Sequence, residues 1–125
     1  MTKLPEIRLL LAEDEWLIVD RIERALAGSR YIIAAKTPSL DVALRLLDTI
    51  RFDAAVLDGN LDGDRTSALA QRLHAAGTPF LMLTAYSGAV RALTPCQAPV
   101  LAKPFARSAL LAALNLLINA HSCFE

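Results

Sequence analysis

The stretch IRLLLAEDE, residues 7–15, joins a largely apolar run to three acidic residues. A short run of this kind is typical of a strand that is buried on both faces of a parallel sheet. Three further apolar runs, AVL, FLML and VLA, also end at a polar residue; these residues are Asp58, Thr84 and Lys103. The repeated pattern predicts a buried sheet whose strands end in side chains capable of chemistry.

Segments with the apolar spacing of amphipathic helices lie between these runs. The predicted strands are residues 7–12, 31–35, 54–57, 79–83 and 100–102, and the predicted helices are residues 15–27, 40–50, 66–76 and 108–120. Ser39 is the predicted N-cap of the second helix. Residues 85–99 contain a glycine and two prolines, so any helix there is expected to be short.

Strands that alternate with helices predict an α/β fold with a parallel sheet covered on both faces. Five such units favour a flavodoxin-like (βα)5 three-layer sandwich, in which the five-stranded sheet has the order 2-1-3-4-5. The length of 125 residues suits one domain, so residues 1–125 are assigned to a single unit.

Composition narrows the class of protein further. The chain has 13 Lys and Arg against 13 Asp and Glu, so it lacks the basic excess of a nucleic-acid binder. It has no run of about 20 apolar residues and no signal-peptide pattern, which argues against a membrane span and for a cytoplasmic location. Cys96 and Cys123 show no metal-ligand spacing and are expected to be free thiols.

The carboxyl ends of parallel strands meet at one edge of the sheet, where ligands bind in this class of fold. Glu13, Asp14 and Asp58 would therefore lie close together, and three adjacent carboxylates repel one another by several kcal/mol at an effective dielectric of about 20. A divalent cation relieves that repulsion. A ligand set made only of oxygen atoms suits Mg²⁺, which is the predicted cofactor.

The same edge suits phosphoryl transfer. An aspartate is ionised at neutral pH and can act as a nucleophile that forms an aspartyl phosphate. Phosphoryl transfer needs charge neutralisation on the equatorial oxygens, which Mg²⁺, the Lys103 ammonium and the Thr84 hydroxyl could supply. Asp58 is the predicted phosphoacceptor because Asp14, Thr84 and Lys103 lie at the same predicted edge.

In this order along the chain, the motifs LAEDE, VLDGNLDG and AKPF resemble the receiver domain of two-component response regulators, and the resemblance covers residues 7–120. It implies that Asp14 and Asp58 ligate Mg²⁺ directly, that Glu13 acts through a water molecule and that the backbone carbonyl of Asn60 is a further ligand. It also implies a cis peptide bond between Lys103 and Pro104, and Pro104 is a predicted switch residue together with Thr84 and Tyr86.

The sequence departs from the common family pattern in the switch region. Val100 stands where the family has an aromatic residue three positions before the lysine, so Tyr86 is the predicted substitute partner of Thr84. Leu61-Asp62 replaces the usual Met-Pro pair. These features, with the stretch GTPFLMLTAY, resemble a single-domain subgroup found among alphaproteobacteria.

The resemblance implies partners. A sensor histidine kinase or a histidine phosphotransfer protein would donate the phosphoryl group, and output would pass through a protein partner or end in a phosphate sink. The final helix has a second apolar face that could bind a partner or a second copy of the chain; this face contains Leu111, Ala112 and Leu116. Trp16 is predicted to pack as a part of the amphipathic first helix, with a kinase contact as the alternative.

Other interpretations stay open at this point. Residues 58–63 fit the start of a calcium loop, but Leu69 stands where that loop needs a bidentate glutamate. A Mg²⁺-dependent phosphatase with an aspartate nucleophile would need an acid at Asn60, and an amide cannot protonate a leaving group. A phosphorylation-independent adaptor is the third alternative. No enzymatic activity beyond slow self-dephosphorylation is expected.

Overall fold

The computed structural model describes residues 5–61, 64–65, 67–84 and 99–122. Its main sheet contains five parallel strands; these are β1 (Ile7–Ala12), β2 (Tyr31–Thr37), β3 (Ala54–Asp58), β6 (Phe80–Thr84) and β7 (Val100–Ala102). Two short strands between β3 and β6 pair as an antiparallel ribbon; these are β4 (Asn60–Leu61) and β5 (Asp64–Arg65). The main sheet has the order β2-β1-β3-β6-β7. Counted within the main sheet alone this is the order 2-1-3-4-5, so the predicted fold class is confirmed.

Four helices cover the two faces of the sheet in the described part of the chain; they are α1 (Trp16–Leu26), α2 (Leu40–Thr49), α3 (Ser67–Ala75) and α4 (Arg107–Ser122). Successive side chains of a strand point to opposite faces, so apolar strands build two cores. Leu9 and Leu11 pack with α1 and α4 on one face, and Leu10 packs with α2 and α3 on the other. This double burial explains why the strands read as continuous apolar runs.

Most element boundaries agree with the sequence to within two residues. The Ser39 hydroxyl accepts a hydrogen bond from the Val42 amide at 3.3 Å, which confirms it as the cap of α2. Strand β2 runs two residues beyond its predicted end because Lys36 and Thr37 still pair with β1. Gly77 ends α3 with a φ of +74°, a conformation that side chains other than glycine rarely adopt.

The final helix confirms most of its predicted faces. Leu110, Leu114 and Leu117 are buried in the core beside α1, whereas Leu116 is 70% exposed. The prediction that Leu111 points away from the core is wrong: this side chain is partly buried and packs against the same cluster. A partner surface on α4 stays a prediction, and it now includes the exposed Ala112 and Leu116 without Leu111.

A polar contact joins the edge strand β2 to α4. The buried Tyr31 hydroxyl donates a hydrogen bond to the Asn115 side-chain oxygen. We expect Tyr31→Phe to lower the free energy of unfolding by about 1 kcal/mol, since it deletes one neutral hydrogen bond and keeps the ring. Denaturant titration measures the change, with Asn119→Ala on the same helix as the control; an equal loss in both variants would show that the contact adds no stability.

Two further observations concern membrane spans and the predicted residues that lie outside the described part of the chain. None of the helices among residues 5–61, 67–84 and 99–122 is long and apolar enough to cross a membrane. Tyr86, Cys96, Cys123 and the expected short helix within residues 85–99 lie outside the described residues, apart from Pro99 itself.

Candidate functional site

The ends of the parallel strands bring four predicted residues to one edge of the sheet. Asp58 and Thr84 are the last residues of β3 and β6, while Glu13 and Lys103 directly follow β1 and β7. Backbone hydrogen bonds continue past the strand ends and fix these residues: the Lys103 amide donates to the Thr84 carbonyl at 2.8 Å, and the Glu13 amide donates to the Thr37 carbonyl at 3.1 Å. The predicted meeting of the strand ends is therefore present.

Three carboxylates form a cluster at this edge. Glu13, Asp14 and Asp58 each place one carboxylate oxygen within 4.8 Å of the others. Glu13 and Asp58 are buried at 2% and 8% exposure, whereas Asp14 lies at the surface. The cluster thus has a buried floor and an open side through which a small ion or a phosphoryl group can enter.

The Lys103 side chain also lies in this cluster. Its ammonium lies 2.8 Å from Glu13 Oε1, 3.2 Å from Glu15 Oε1 and 3.4 Å from Asp58 Oδ2. The Lys103 side chain is only 11% exposed, and its peptide bond to Pro104 is cis, as the sequence predicted. One cation therefore compensates several carboxylates in a site that is largely shielded from water.

The burial of these charges changes their protonation. The pKa of Glu13 is raised to about 7, because burial and the negative charge of Asp58 together outweigh the hydrogen bond from Lys103, which lowers it. Burial by itself would lower the pKa of Lys103. The hydrogen bond and the charge of Glu13 outweigh that effect, with help from Asp58 and Glu15, so the pKa of Lys103 is raised and the ammonium stays charged.

The donor set fits a hard divalent cation. The second carboxylate oxygen of Glu13, Oε2, is buried and has no hydrogen-bond partner among the described residues. An unpaired buried anionic oxygen is costly, and it is rare in folded proteins unless an ion or a water molecule completes it. Because the neighbouring ligands are also carboxylate oxygens, Mg²⁺ suits the site better than a metal that prefers nitrogen or sulfur.

The geometry matches the needs of phosphoryl transfer onto a carboxylate. Asp58 supplies an oxygen nucleophile within reach of a cation, and Thr84 lies at the neighbouring strand end. Bound Mg²⁺ would neutralise charge on the transferring group, and the Lys103 ammonium would add a second positive charge. Asn60 begins β4, two residues after Asp58. Its role as a carbonyl ligand stays a prediction, as does the switch role of Tyr86.

Two residues near this edge were not predicted correctly. The prediction that Trp16 packs within the first helix is wrong, because its side chain is 74% exposed. The core face of α1 is formed by Ile22, Ala25 and Leu26. Because successive helix residues are rotated by about 100°, Trp16 lies well away from that face. Glu15 was not singled out, although it contacts Lys103; its position as the third acid of LAEDE is the only sequence signal for it.

Comparison with known proteins defines the class. The family model of the response regulator receiver domain matches residues 9–115. The chain therefore belongs to the receiver domain family, whose members act in two-component signalling. No curated protein matches the chain at a significant level of sequence similarity.

Solved structures share the fold of this chain. The receiver domain of a modulated diguanylate cyclase from Desulfovibrio desulfuricans has a TM-score of 0.85 and 23% identity, over 96% of this chain and 99% of that one. The response regulator PhyR from Brucella abortus has a TM-score of 0.81 and 25% identity, over 94% of this chain and 50% of that one.

A third structure bears on the metal site. The receiver domain of a sensor histidine kinase from Pseudomonas aeruginosa has a TM-score of 0.78 and 26% identity, over 91% of this chain and 98% of that one. That structure holds a magnesium ion coordinated in its active site cleft. A magnesium site in the cleft is therefore present in a structural relative of this chain.

Proposed function

We propose that this chain is a phosphoacceptor that takes a phosphoryl group on Asp58 in the presence of Mg²⁺. The observation that supports the proposal most strongly is the position of the Lys103 ammonium, 3.4 Å from the Asp58 carboxylate beside two further acids. A buried ion pair contributes little net stability. Stability alone therefore does not explain why Lys103 lies within this acid cluster. Their meeting suits a reaction in which negative charge is added to Asp58.

In this proposal the residues divide into metal ligands, which include the acceptor Asp58 itself, and residues that bind the attached phosphoryl group. Asp14 and Asp58 hold Mg²⁺ directly, Glu13 holds it through a water molecule, and the carbonyl of Asn60 completes the protein ligands. Lys103 binds the phosphoryl group once it is attached, and Thr84 binds another of its oxygens. The protein then favours its active state because these two residues make contacts that the unmodified protein lacks.

The direct test is Mg²⁺-dependent uptake of a phosphoryl group from acetyl phosphate. Intact-mass measurement should show the gain of one phosphoryl group with Mg²⁺ and no gain when the metal is chelated. Reduction of the acyl phosphate with borohydride, followed by digestion, should place the modification on the peptide that contains Asp58. No uptake under any condition, or uptake at another residue, would show that Asp58 is not the acceptor.

We further propose that the donor is a histidine kinase or a histidine phosphotransfer protein, which would place this chain in the cytoplasm, and that output passes through a protein partner or ends in a phosphate sink. The side chains of Trp16 and Leu17, at the start of α1, are 74% and 63% exposed. They support a docking surface beside the acid cluster. A tryptophan beside a reactive site is a typical anchor of a protein interface.

We expect Trp16→Ala to slow phosphotransfer from such a donor by about tenfold, because truncation of an interface anchor costs more than about 1 kcal/mol. Uptake from acetyl phosphate, which needs no docking, should be unchanged. The donor is found by screening candidate kinases with the wild type, and rates are measured by transfer of labelled phosphate. Arg45→Ala, at an exposed position of α2 that no predicted partner surface includes, is the control; an equal effect of both variants would contradict a specific role for Trp16.

A further inference from the structure

Glu15 occupies an unusual position for a helix-capping residue. It is the N-cap of α1, and its carbonyl accepts hydrogen bonds from Ile18 and Val19, but its side chain makes no capping hydrogen bond. The carboxylate instead lies 3.2 Å from the ammonium of Lys103, which belongs to the turn after β7. The side chains that usually cap a helix at this position are those of Ser, Thr, Asp and Asn, which accept hydrogen bonds from its first amides, whereas the Glu15 carboxylate binds Lys103.

The three carboxylates around Lys103 differ in how easily each can break its ion pair with the ammonium. Glu13 is buried, with a side-chain exposure of 0%, so it cannot exchange the lysine for water. Asp58 is the side chain that would become modified. Glu15 has a side-chain exposure of 61% and can be hydrated at once if the contact breaks. It is therefore the one carboxylate of the three that can leave without loss of a buried ion pair.

We propose that Glu15 is an exchangeable counter-ion of Lys103: it holds the ammonium while Asp58 is unmodified and releases it when a phosphoryl group arrives on Asp58. This inference rests on the proposed function and extends it to the regulation of the same site. Glu15 is a positioning residue, since it acts on the phosphoryl group through Lys103. Because Glu15 competes with the incoming anion for one ammonium group, it weakens the binding of that anion.

The test compares beryllofluoride binding by Glu15→Gln and by the wild type in the presence of Mg²⁺. The variant should bind about 2- to 5-fold more tightly, which is the range expected from the loss of an exposed ion pair, and the gain should shrink as salt rises. Glu23→Gln is the matched control, since Glu23 also lies on α1 and pairs with another lysine, Lys36, at 2.6 Å. Glu15→Asp keeps the charge but shortens the side chain, so it should resemble Glu15→Gln if contact with Lys103 is what matters.

A second measurement uses the unmodified, metal-free protein. The side-chain ammonium resonance of Lys103 should shift in Glu15→Gln and in Glu15→Asp but not in Glu23→Gln. If Glu15→Gln matches the control in both measurements, the inference is overturned while Asp58 phosphorylation stands. If Glu15→Asp behaves as the wild type, the effect is one of net charge, and the exchange of contacts is overturned. If the wild type binds no beryllofluoride at all, both the inference and the proposed function fail.

Discussion

Asparagine in place of Asp58 is expected to abolish both phosphoryl uptake and beryllofluoride binding. An amide has no ionised oxygen to attack a phosphoryl group or to bond to beryllium. Mg²⁺ binding should weaken by about a hundredfold or more, because two unit charges about 4 Å apart attract each other by about 4 kcal/mol at an effective dielectric of 20, and about 1.4 kcal/mol corresponds to tenfold. Calorimetric titration of Mg²⁺, with and without beryllofluoride, measures both effects.

Asp53→Asn is the control for this variant. Asp53 accepts a hydrogen bond from the Arg8 amide at 2.8 Å and precedes β3, at the opposite end of the strand from Asp58. Asp53→Asn removes the same charge from the chain without changing the acid cluster, so beryllofluoride binding should persist. Binding that survives in Asp58→Asn would mean that another residue accepts the group, and the phosphoacceptor proposal would be wrong.

Lys103→Met is expected to lower the free energy of unfolding of the metal-free protein by about 3 kcal/mol at pH 8. The change leaves Glu13 buried without its cation, and loss of one partner of a buried ion pair typically costs 3–5 kcal/mol. Protonation of Glu13, whose pKa is already raised to about 7, limits the loss and should make it smaller at pH 6. Denaturant titration at the two pH values measures the difference.

A double-variant cycle isolates the cause. Glu13→Gln should restore most of the stability that Lys103→Met removes, because the buried charge is then absent. Lys36→Met is the matched control: its pair with Glu23 is about half exposed, so it should cost no more than about 1 kcal/mol. Equal losses in Lys103→Met and Lys36→Met would contradict a buried charge that depends on Lys103.

The strand ends could be predicted from sequence because one rule governs them. A run such as AVL is buried on both faces, so the chain must turn polar where it leaves the sheet, and parallel strands leave at the same edge. Asp58 and Lys103 are 45 positions apart in the chain, yet this rule is sufficient to predict that they lie close together. Local patterns also placed Ser39 as a cap, because its bond to Val42 spans only three residues.

The errors concern contacts that periodicity alone does not determine. Trp16 is apolar enough to be expected in a core, but its angular position on α1 leaves it exposed. Leu111 lies three positions before Leu114, beside the main inward face of α4, and is partly buried against the same cluster. Glu15 reaches Lys103 across 88 positions of sequence, and only the three-dimensional path of the turn after β7 reveals that contact.

One backbone hydrogen bond joins the ends of the last two strands of the main sheet. Because the Lys103 amide donates to the Thr84 carbonyl at 2.8 Å, the carboxyl ends of β6 and β7 are held together at this point. If Asp58 is phosphorylated as proposed, movement of Lys103 toward it would act on Thr84 through this hydrogen bond. A chemical change on one carboxylate would then reach the carboxyl end of β6 without any rearrangement of the core.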